Sequence, residues 1–131
     1  MKAHIATENM IAFLLTTPMF DDLEPKEIME IIHIVETIKF EPGDIIFSEG
    51  DAGDGWYALY SGEVEVLKKS NGGDKNIKAL EPGSCFGEMA VLDGLPRSAT
   101  IRAKKDTLLL RVPQDKFMEL IDEDHLIAYK L

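Results

Sequence analysis

The residue types best suited to chemistry lie in one stretch of the chain, FGEMAVLDGLPRSAT at positions 86–100. This mostly apolar run holds Glu88 near its start and Arg97 near its end. The side chain of Arg97 is a planar fork of donors that can bind a phosphate with two parallel hydrogen bonds. Gly87 permits backbone conformations closed to other residues, and a short helical turn after it would present unpaired N–H groups. Such groups attract anions, so the stretch predicts an anion site.

The residues beside these two charges refine the chemistry. Ser98 and Ala99 keep the wall of the site small and offer two N–H donors and one hydroxyl. Glu88 cannot bind a phosphate, but its carboxylate can accept a hydrogen bond from a sugar hydroxyl beside one. Two structural alternatives stay open: Arg97 pairs with Glu88 or another carboxylate, and Glu88 stabilises a helix N-terminus.

Length and composition favour one soluble globular domain. The chain has 131 residues, of which 45% are hydrophobic and 29% charged, enough to bury a core. The formal net charge of −10 argues against nucleic acid or an anionic membrane surface as a partner, since both are bound through clustered Lys and Arg. A local pocket can still bind a small anion.

Cysteine content and the N-terminus favour a cytoplasmic protein. Because Cys85 is the single cysteine, no intrachain disulfide can form, which suits a reducing compartment. Cys85 itself is interpreted as a small hydrophobic residue. The start MKAHIATENM lacks the apolar run of a signal peptide. The longest early apolar run, Met10 to Leu15, is far shorter than the ~20 residues of a membrane span.

Helices are predicted at both ends of the chain. In the segment Leu23–Val35, Pro25 suits a first helical turn, and isoleucines at helical spacing form an apolar stripe. A shorter helix is predicted over Asn9–Leu15. Pro113 is expected to open a further helix, and His125–Leu131 to begin a last one.

Between the helices, turn signals recur at short intervals and separate short β-prone runs. The pattern Phe40–Asp44 (FEPGD) returns forty residues later as Leu80–Ser84 (LEPGS), which fits the two halves of a jelly roll. The predicted strands include Asp44–Phe47, Trp56–Tyr60, Glu63–Val66, Ser98–Ala103 and Thr107–Val112, with another ending at Phe86 and one helical turn over Met89–Leu92. Trp56 and Tyr57 are interpreted as packing residues of the sheet.

These signals predict a mainly β fold with flanking α-helices, a double-stranded β-helix or jelly-roll barrel. We expect one domain over residues 1–131, with an N-terminal helical segment at 1–36. The β jelly roll is expected at 37–112, with the site at 86–100, and a C-terminal helical segment at 113–131.

The stretch FGEMAVLDGLPRSAT resembles the phosphate-binding cassette of the cyclic nucleotide-binding domain family. That family includes the sensor domains of bacterial catabolite activators and the regulatory subunits of protein kinase A. Its pattern is roughly F-G-E, an aliphatic residue and Ala, a short loop, then P-R-[ST or A]-A, and each position matches here. The turn sequences Gly43–Ile46, Glu49–Asp51 and Gly62–Val64 resemble further parts of the family, so the resemblance covers roughly residues 10 to 125.

The resemblance implies a cytoplasmic regulatory module that binds cAMP, with cGMP as the other possible ligand, and no enzymatic activity. It implies that Arg97 pairs with the cyclic phosphate and that Glu88 accepts from the ribose 2′-hydroxyl. The implied binding residues are Phe86, Gly87, Glu88, Met89, Ala90, Arg97, Ser98 and Ala99. Ala90 and Ala99 would contribute backbone N–H groups. A C-terminal helix would cover the base, and Tyr129 is the candidate residue for this contact.

Two other functions stay open. The same fold could serve as a dimerisation or docking domain that binds no nucleotide, although the intact pair Glu88 and Arg97 argues against this. A metal enzyme of cupin type would need paired histidines on strands, whereas His4, His33 and His125 are scattered. No metal or cofactor is expected. An effector protein in trans is a possible partner, and a homodimer is possible.

Overall fold

A computed structural model describes residues 5–18, 20–87 and 94–123. Its helices are α1 (Thr7–Leu15), α2 (Pro25–Ile34) and α3 (Gln114–Glu123). Its strands are β1 (Glu36–Phe40), β2 (Ile45–Phe47), β3 (Gly55–Ser61), β4 (Val64–Ser70), β5 (Gly73–Leu80), β6 (Cys85–Phe86), β7 (Thr100–Ala103) and β8 (Thr107–Pro113). None of the helices in these ranges has the length and apolar character needed to cross a membrane.

Helix α2 forms where the sequence predicts it. Pro25 occupies the first turn, and the N–H of Glu24 donates to Oε1 of Glu27 over 2.9 Å, which satisfies a donor at the helix start. Ile28 and Ile31 of the apolar stripe are fully buried. The stripe therefore docks α2 on the rest of the molecule.

The strands form two four-stranded antiparallel sheets. Sheet A has the order β1-β8-β3-β6, and sheet B has the order β2-β7-β4-β5. The two sheets pack on one another without closing into a barrel, and the helices lie on the outer face of sheet A. The mainly β, jelly-roll-like class with flanking helices is confirmed.

Strand β3 shows why sheet A is buried on both faces. Successive side chains of a strand point to opposite faces, and β3 is apolar on both. Trp56 and Ala58 belong to the core beneath the helices, together with Phe20 and Phe117. Tyr57 belongs to the second core, between the two sheets. Trp56 and Tyr57 thus pack in the two cores, as interpreted from the sequence.

The repeated turn sequence has the same structure at both positions. In Phe40–Asp44 and in Leu80–Ser84, the last N–H donates to the carbonyl three residues earlier, over 3.0 and 3.1 Å. The glycine N–H of each turn then donates to a strand, to the carbonyl of Ala103 over 2.8 Å and of Leu59 over 2.9 Å. The two turns lead into β2 and β6, so the repeated turn sequence lies at equivalent points of the two sheets.

Some boundaries differ from the prediction. Pro113 is the last residue of β8, and α3 begins one residue later, because Gln114 donates its N–H to the carbonyl of Asp54 over 2.9 Å. Strand β5 was not predicted, since half of its residues are charged or Asn and only Ile77 is β-branched. The segments Met89–Leu92 and His125–Leu131, predicted as helical, lie outside the described residues.

Candidate functional site

A cavity of about 370 Å³ lies beside sheet B, beneath the end of the 86–100 stretch. This volume falls within the range of roughly 300–1,000 Å³ found for small-molecule sites. Its described lining consists of Phe47, Val66, Lys78, Leu80, Cys85, Phe86, Gly87, Leu95, Pro96, Arg97, Ser98, Ala99 and Ile101. The lining is mainly apolar with a few polar groups at its margin, as in sites that bind a small organic ligand.

One row of side chains crosses all four strands of sheet B and forms part of the lining. Phe47 pairs with Ile101, Ile101 with Val66, and Val66 with Lys78. Neighbouring strands lie about 4.8 Å apart, so Phe47 and Lys78 stand roughly 14 Å apart. The cavity therefore has a cation-bearing end at β5, and Arg97 lies over the opposite end at β2.

The guanidinium of Arg97 is buried in the wall of this cavity. Its side chain is 2% exposed, and its Cζ lies 4.1 Å from the ring centroid of Phe47. Nη1 donates to the carbonyl of Gly87 over 2.8 Å, and Nη2 donates to the carbonyl of Gly55 over 2.6 Å. Nε is buried and has no partner among the described residues. The Nε–H of this buried cation is thus left for a further acceptor.

The backbone at Gly87 is built around this guanidinium. Gly87 has φ of +85°, a conformation that side chains of L-residues rarely adopt. A Cβ at this position would lie 2.7 Å from Nη1 of Arg97 and 3.4 Å from Cε2 of Phe47. Only glycine therefore lets the chain pass close enough for its carbonyl to accept from Arg97.

Three aromatic rings support the site from the inter-sheet core. The rings of Tyr57 and Phe86 are stacked, with centroids 5.3 Å apart, and Phe47 lies 5.9 Å from Tyr57 and 6.0 Å from Phe86. Arg97 stacks on the outermost of these rings. The cluster keeps water from one face of the guanidinium and fixes its plane.

Asp54 lies between Arg97 and a second arginine. Its Oδ1 is 3.9 Å from Nη2 of Arg97 and 3.2 Å from Nη2 of Arg111. Arg111 also pairs with Glu36 over 2.7 Å. The closer carboxylates therefore belong to Arg111, and Arg97 has no tight ion pair within the described ranges.

The pKa values of the two arginines shift in opposite directions, although burial acts to lower both. Desolvation lowers the pKa of Arg97 below its usual value, and the negative charge of Asp54 offsets this only in part. Burial also acts to lower the pKa of Arg111, but its hydrogen bonds with Glu36 and Asp54 outweigh that effect and raise the pKa. Arg97 is thus a cation that its surroundings solvate less well than they solvate Arg111.

The structure brings together five of the predicted site residues: Phe86, Gly87, Arg97, Ser98 and Ala99 all line the cavity. Phe86 and Arg97 are buried, Gly87 and Ala99 half-buried, and Ser98 exposed. Glu88, Met89 and Ala90 lie outside the described residues, as does Tyr129. Cys85 is half-buried and lines the cavity, in keeping with a small hydrophobic residue.

Sequence reasoning missed three polar contributors. Asp54 was not singled out from the sequence, although it lies nearest to Arg97 among the carboxylates of the described ranges. Lys78 lines the cavity from the unpredicted strand β5. Lys68 donates to the carbonyl of Ser98 over 2.8 Å. The last two become visible only when the pairing of β4 with β5 and β7 is known.

The family model of the cyclic nucleotide-binding domain matches residues 37–124 of this chain, which is more than half of it. The chain belongs to the cyclic nucleotide-binding domain family. The match covers both sheets and the whole cavity, so the predicted resemblance is confirmed.

Among characterised relatives of this cyclic nucleotide-binding domain are regulatory subunits of cAMP-dependent protein kinase. That of Emericella nidulans is 39% identical over 110 residues, which cover 84% of this chain and 26% of the relative. That of Mucor circinelloides is 41% identical over 91 residues, covering 70% of this chain and 21% of the relative. The chain thus spans about a quarter of the length of these relatives, which are regulatory rather than catalytic subunits.

Solved structures of this family share the architecture. The regulatory domain of Toxoplasma gondii PKA, crystallised with cAMP, superposes with a TM-score of 0.81 at 29% identity, covering 87% of this chain and 44% of that one. The catabolite activator protein of Thermus thermophilus superposes with a TM-score of 0.77 at 33% identity, covering 87% of this chain and 54% of that one. Both contain the two-sheet fold described here.

Proposed function

We propose that this chain is a regulatory module that binds a 3′,5′-cyclic nucleotide, with cAMP as its ligand. The observation that carries the proposal is Arg97, a buried cation in the cavity wall whose Nε–H has no partner and which has no tight ion pair among the described residues. A buried charge in that condition is costly unless an anion compensates it. The negative phosphate of a cyclic nucleotide would supply the missing counter-charge.

The proposed phosphate site uses one edge of the guanidinium together with the backbone. The free Nε–H and a neighbouring Nη–H form an edge that can donate to two phosphate oxygens. The N–H of Ala99 and the hydroxyl of Ser98 would add donors, and Gly87 would lie beside the ribose. By the family resemblance, Glu88 would accept from the 2′-hydroxyl, and Phe86, Met89 and Ala90 would complete the site.

The base is proposed to lie toward the β5 end of the cavity. With the phosphate at Arg97, the apolar floor of Ile101 and Val66 would carry the sugar and base toward Lys78. The regulatory domain of Toxoplasma gondii PKA, which is similar in fold, was crystallised with cAMP. This similarity, with the regulatory subunits described above, supports cAMP as the ligand.

Lys78 favours cGMP as a second candidate ligand. Within the described ranges its ammonium takes part in no ion pair, and it can only donate hydrogen bonds. Guanine presents two adjacent acceptors, N7 and O6, whereas adenine presents an amino donor in place of O6. If cGMP binds more tightly than cAMP, the variant Lys78→Met should reverse or abolish that preference.

Regulation is proposed to work by a shift between two populated states. Arg97 contacts Gly55 and Asp54, and the carbonyl of Asp54 accepts the first N–H of α3, from Gln114. A phosphate that draws Arg97 toward itself would weaken the contacts that also hold the start of α3. We propose that α3 then repacks through Phe117 and that another protein or protein segment reads the change. No catalytic step is part of this proposal.

The test is a calorimetric titration with cAMP and with cGMP. The parent protein should bind at least one of them, and Arg97→Glu should weaken binding about 100-fold or more, since it replaces the phosphate's counter-charge with a like charge. Lys39→Glu is the matched control, because it makes the same change of charge on the exposed face of β1. Its affinity should stay within about two-fold of the parent.

Two outcomes would contradict the proposal. Absence of binding by the parent at millimolar ligand would favour the alternative, a docking or dimerisation domain of the same fold. Equal weakening by Arg97→Glu and Lys39→Glu would show that net charge matters and that Arg97 has no specific role.

A further inference from the structure

The end of the cassette, residues 97–100, is tied to the turn that precedes β3. The N–H of Gly50 donates to the carbonyl of Arg97, and the N–H of Arg97 donates to the carbonyl of Asp51, each over 2.8 Å. The N–H of Glu49 donates to Oγ1 of Thr100 over 2.9 Å. Both ends of this short segment are therefore fixed, and the peptide between residues 98 and 99 lies in its middle.

A lysine from β4 holds that middle peptide. Nζ of Lys68 donates to the carbonyl of Ser98 over 2.8 Å. Its neighbour Lys69 donates its N–H to Oε1 of Glu49 over 3.0 Å, which ties the same strand to the same turn. Ser98 lines the cavity, whereas Lys68 lies outside the lining. The carbonyl of Ser98 is thus held by a side chain of β4 that is not itself part of the lining.

Because the peptide bond is planar, the hydrogen bond to the carbonyl of Ser98 also fixes the direction of the N–H of Ala99. None of the described peptide bonds is cis, and in a planar trans peptide the C=O and the following N–H point in opposite directions. When Lys68 holds the carbonyl of Ser98, the N–H of Ala99 must face away from Lys68. Ala99 is itself one of the residues that line the cavity.

We propose that Lys68 is a positioning residue for the ligand. By holding the carbonyl of Ser98, it aims the N–H of Ala99 at the phosphate oxygen of a nucleotide anchored on Arg97. The inference rests on the proposed function and adds a residue that itself does not touch the ligand. Its effect is preorganisation, since the donor is already oriented before the ligand arrives.

The chain offers a matched control that separates positioning from simple attraction of charge. Lys75 lies directly opposite Lys68 in the pairing of β4 with β5, and it carries the same charge. It makes no hydrogen bond to Ser98. A long-range attraction between the lysines and an anionic ligand would be weakened alike by the loss of either lysine.

The experiment measures cAMP affinity by calorimetry at 0.15 M salt for the parent, Lys68→Met, Lys75→Met and Lys68→Arg. We expect Lys68→Met to weaken binding three- to ten-fold, the usual effect of losing one hydrogen bond to an exposed partner. Lys75→Met should change affinity by less than two-fold. Lys68→Arg, which keeps a donor at this position, should restore most of the parent affinity.

A second measurement needs no ligand. In the ¹⁵N-labelled free protein, the amide resonance of Ala99 should shift in Lys68→Met and stay in place in Lys75→Met. Equal weakening in the two methionine variants, or parent affinity in Lys68→Met, would overturn the role of Lys68 while leaving the proposed function intact. A parent protein that binds no cyclic nucleotide would overturn both.

Discussion

At the scale of single residues, Arg97 is a buried cation without a close counter-ion among the described residues. Two neutral carbonyls, an aromatic face and a carboxylate 3.9 Å away surround it. Neutral dipoles do not cancel a buried charge, and desolvation by burial lowers the pKa of Arg97. Arg111, close to two carboxylates, is an ordinary structural ion pair by comparison.

Gly55 tests how tightly this region is packed. A Cβ there would lie 2.8 Å from the carbonyl oxygen of Val112 and 3.2 Å from Cζ of Arg111. Because the first of these atoms belongs to the backbone of β8, Gly55→Ala should lower the free energy of unfolding by about 1–3 kcal/mol. Urea unfolding followed by circular dichroism measures this.

Gly72 provides the control for that substitution. It lies in the turn between β4 and β5, and a Cβ there would meet nothing within 4 Å. Gly72→Ala should change the free energy of unfolding by no more than about 0.5 kcal/mol. If Gly55→Ala lowered the free energy of unfolding no more than Gly72→Ala does, the close approach of β3 to β8 would not be rigid.

At the scale of elements, α3 packs on the core through Phe117, with Leu120 and Ile121 partly buried beside it. Phe117 is fully buried, and its ring meets that of Trp56 edge to face, with centroids 6.1 Å apart. Phe117→Ala should cost about 3–5 kcal/mol of unfolding free energy, because the cavity it leaves is bounded by strands and helices that cannot collapse fully. Urea unfolding can be followed by the fluorescence of Trp56, the single tryptophan.

Met118 is the neighbouring control. Its side chain lies on the outer face of the same helix and is 42% exposed. Met118→Ala should change the free energy of unfolding by less than about 1 kcal/mol, since little apolar surface is lost from a core. If the two variants lost the same stability, the docking of α3 on Trp56 would be wrong.

The predictability of the elements followed the strength of their local signals. Helix α2 was predictable because its apolar stripe matches the helical period and Pro25 fixes its start. The paired turns at residues 40–44 and 80–84 were predictable because Pro-Gly pairs demand a turn. Strand β5 was not, because an edge strand facing solvent needs no apolar alternation and depends for its existence on β4.

The residues of the site likewise fall into those that the sequence predicts and those that it does not. Arg97 and Gly87 were predictable, since their chemistry is carried by residue type and spacing within one segment. Lys68 and Lys78 were not, because strand pairing brings Lys68 to Ser98, 30 residues later in the chain, and Lys78 to the wall of the same cavity. No pattern within a single segment contains information of that kind.

At the scale of the whole molecule, ligand binding and folding stability are linked. A ligand at about 100 times its Kd adds about 2.7 kcal/mol to the free energy of unfolding when it binds only the folded state. For a chain of this length that should raise Tm by roughly 5–15 °C. Thermal melts with cAMP at increasing concentration measure the effect, and at the same concentrations the Tm of Arg97→Glu should rise by no more than about 2 °C.

The exposed strand β5 has a consequence for how copies of this protein behave beside one another. Seven of its eight residues are exposed, and among the described residues it pairs only with β4, at the edge of sheet B. Such an edge invites another strand, but Lys75 and Lys78 would face like charges on an antiparallel copy. The two lysines therefore act against fibre-like self-association, a hazard of open sheets that closed barrels avoid.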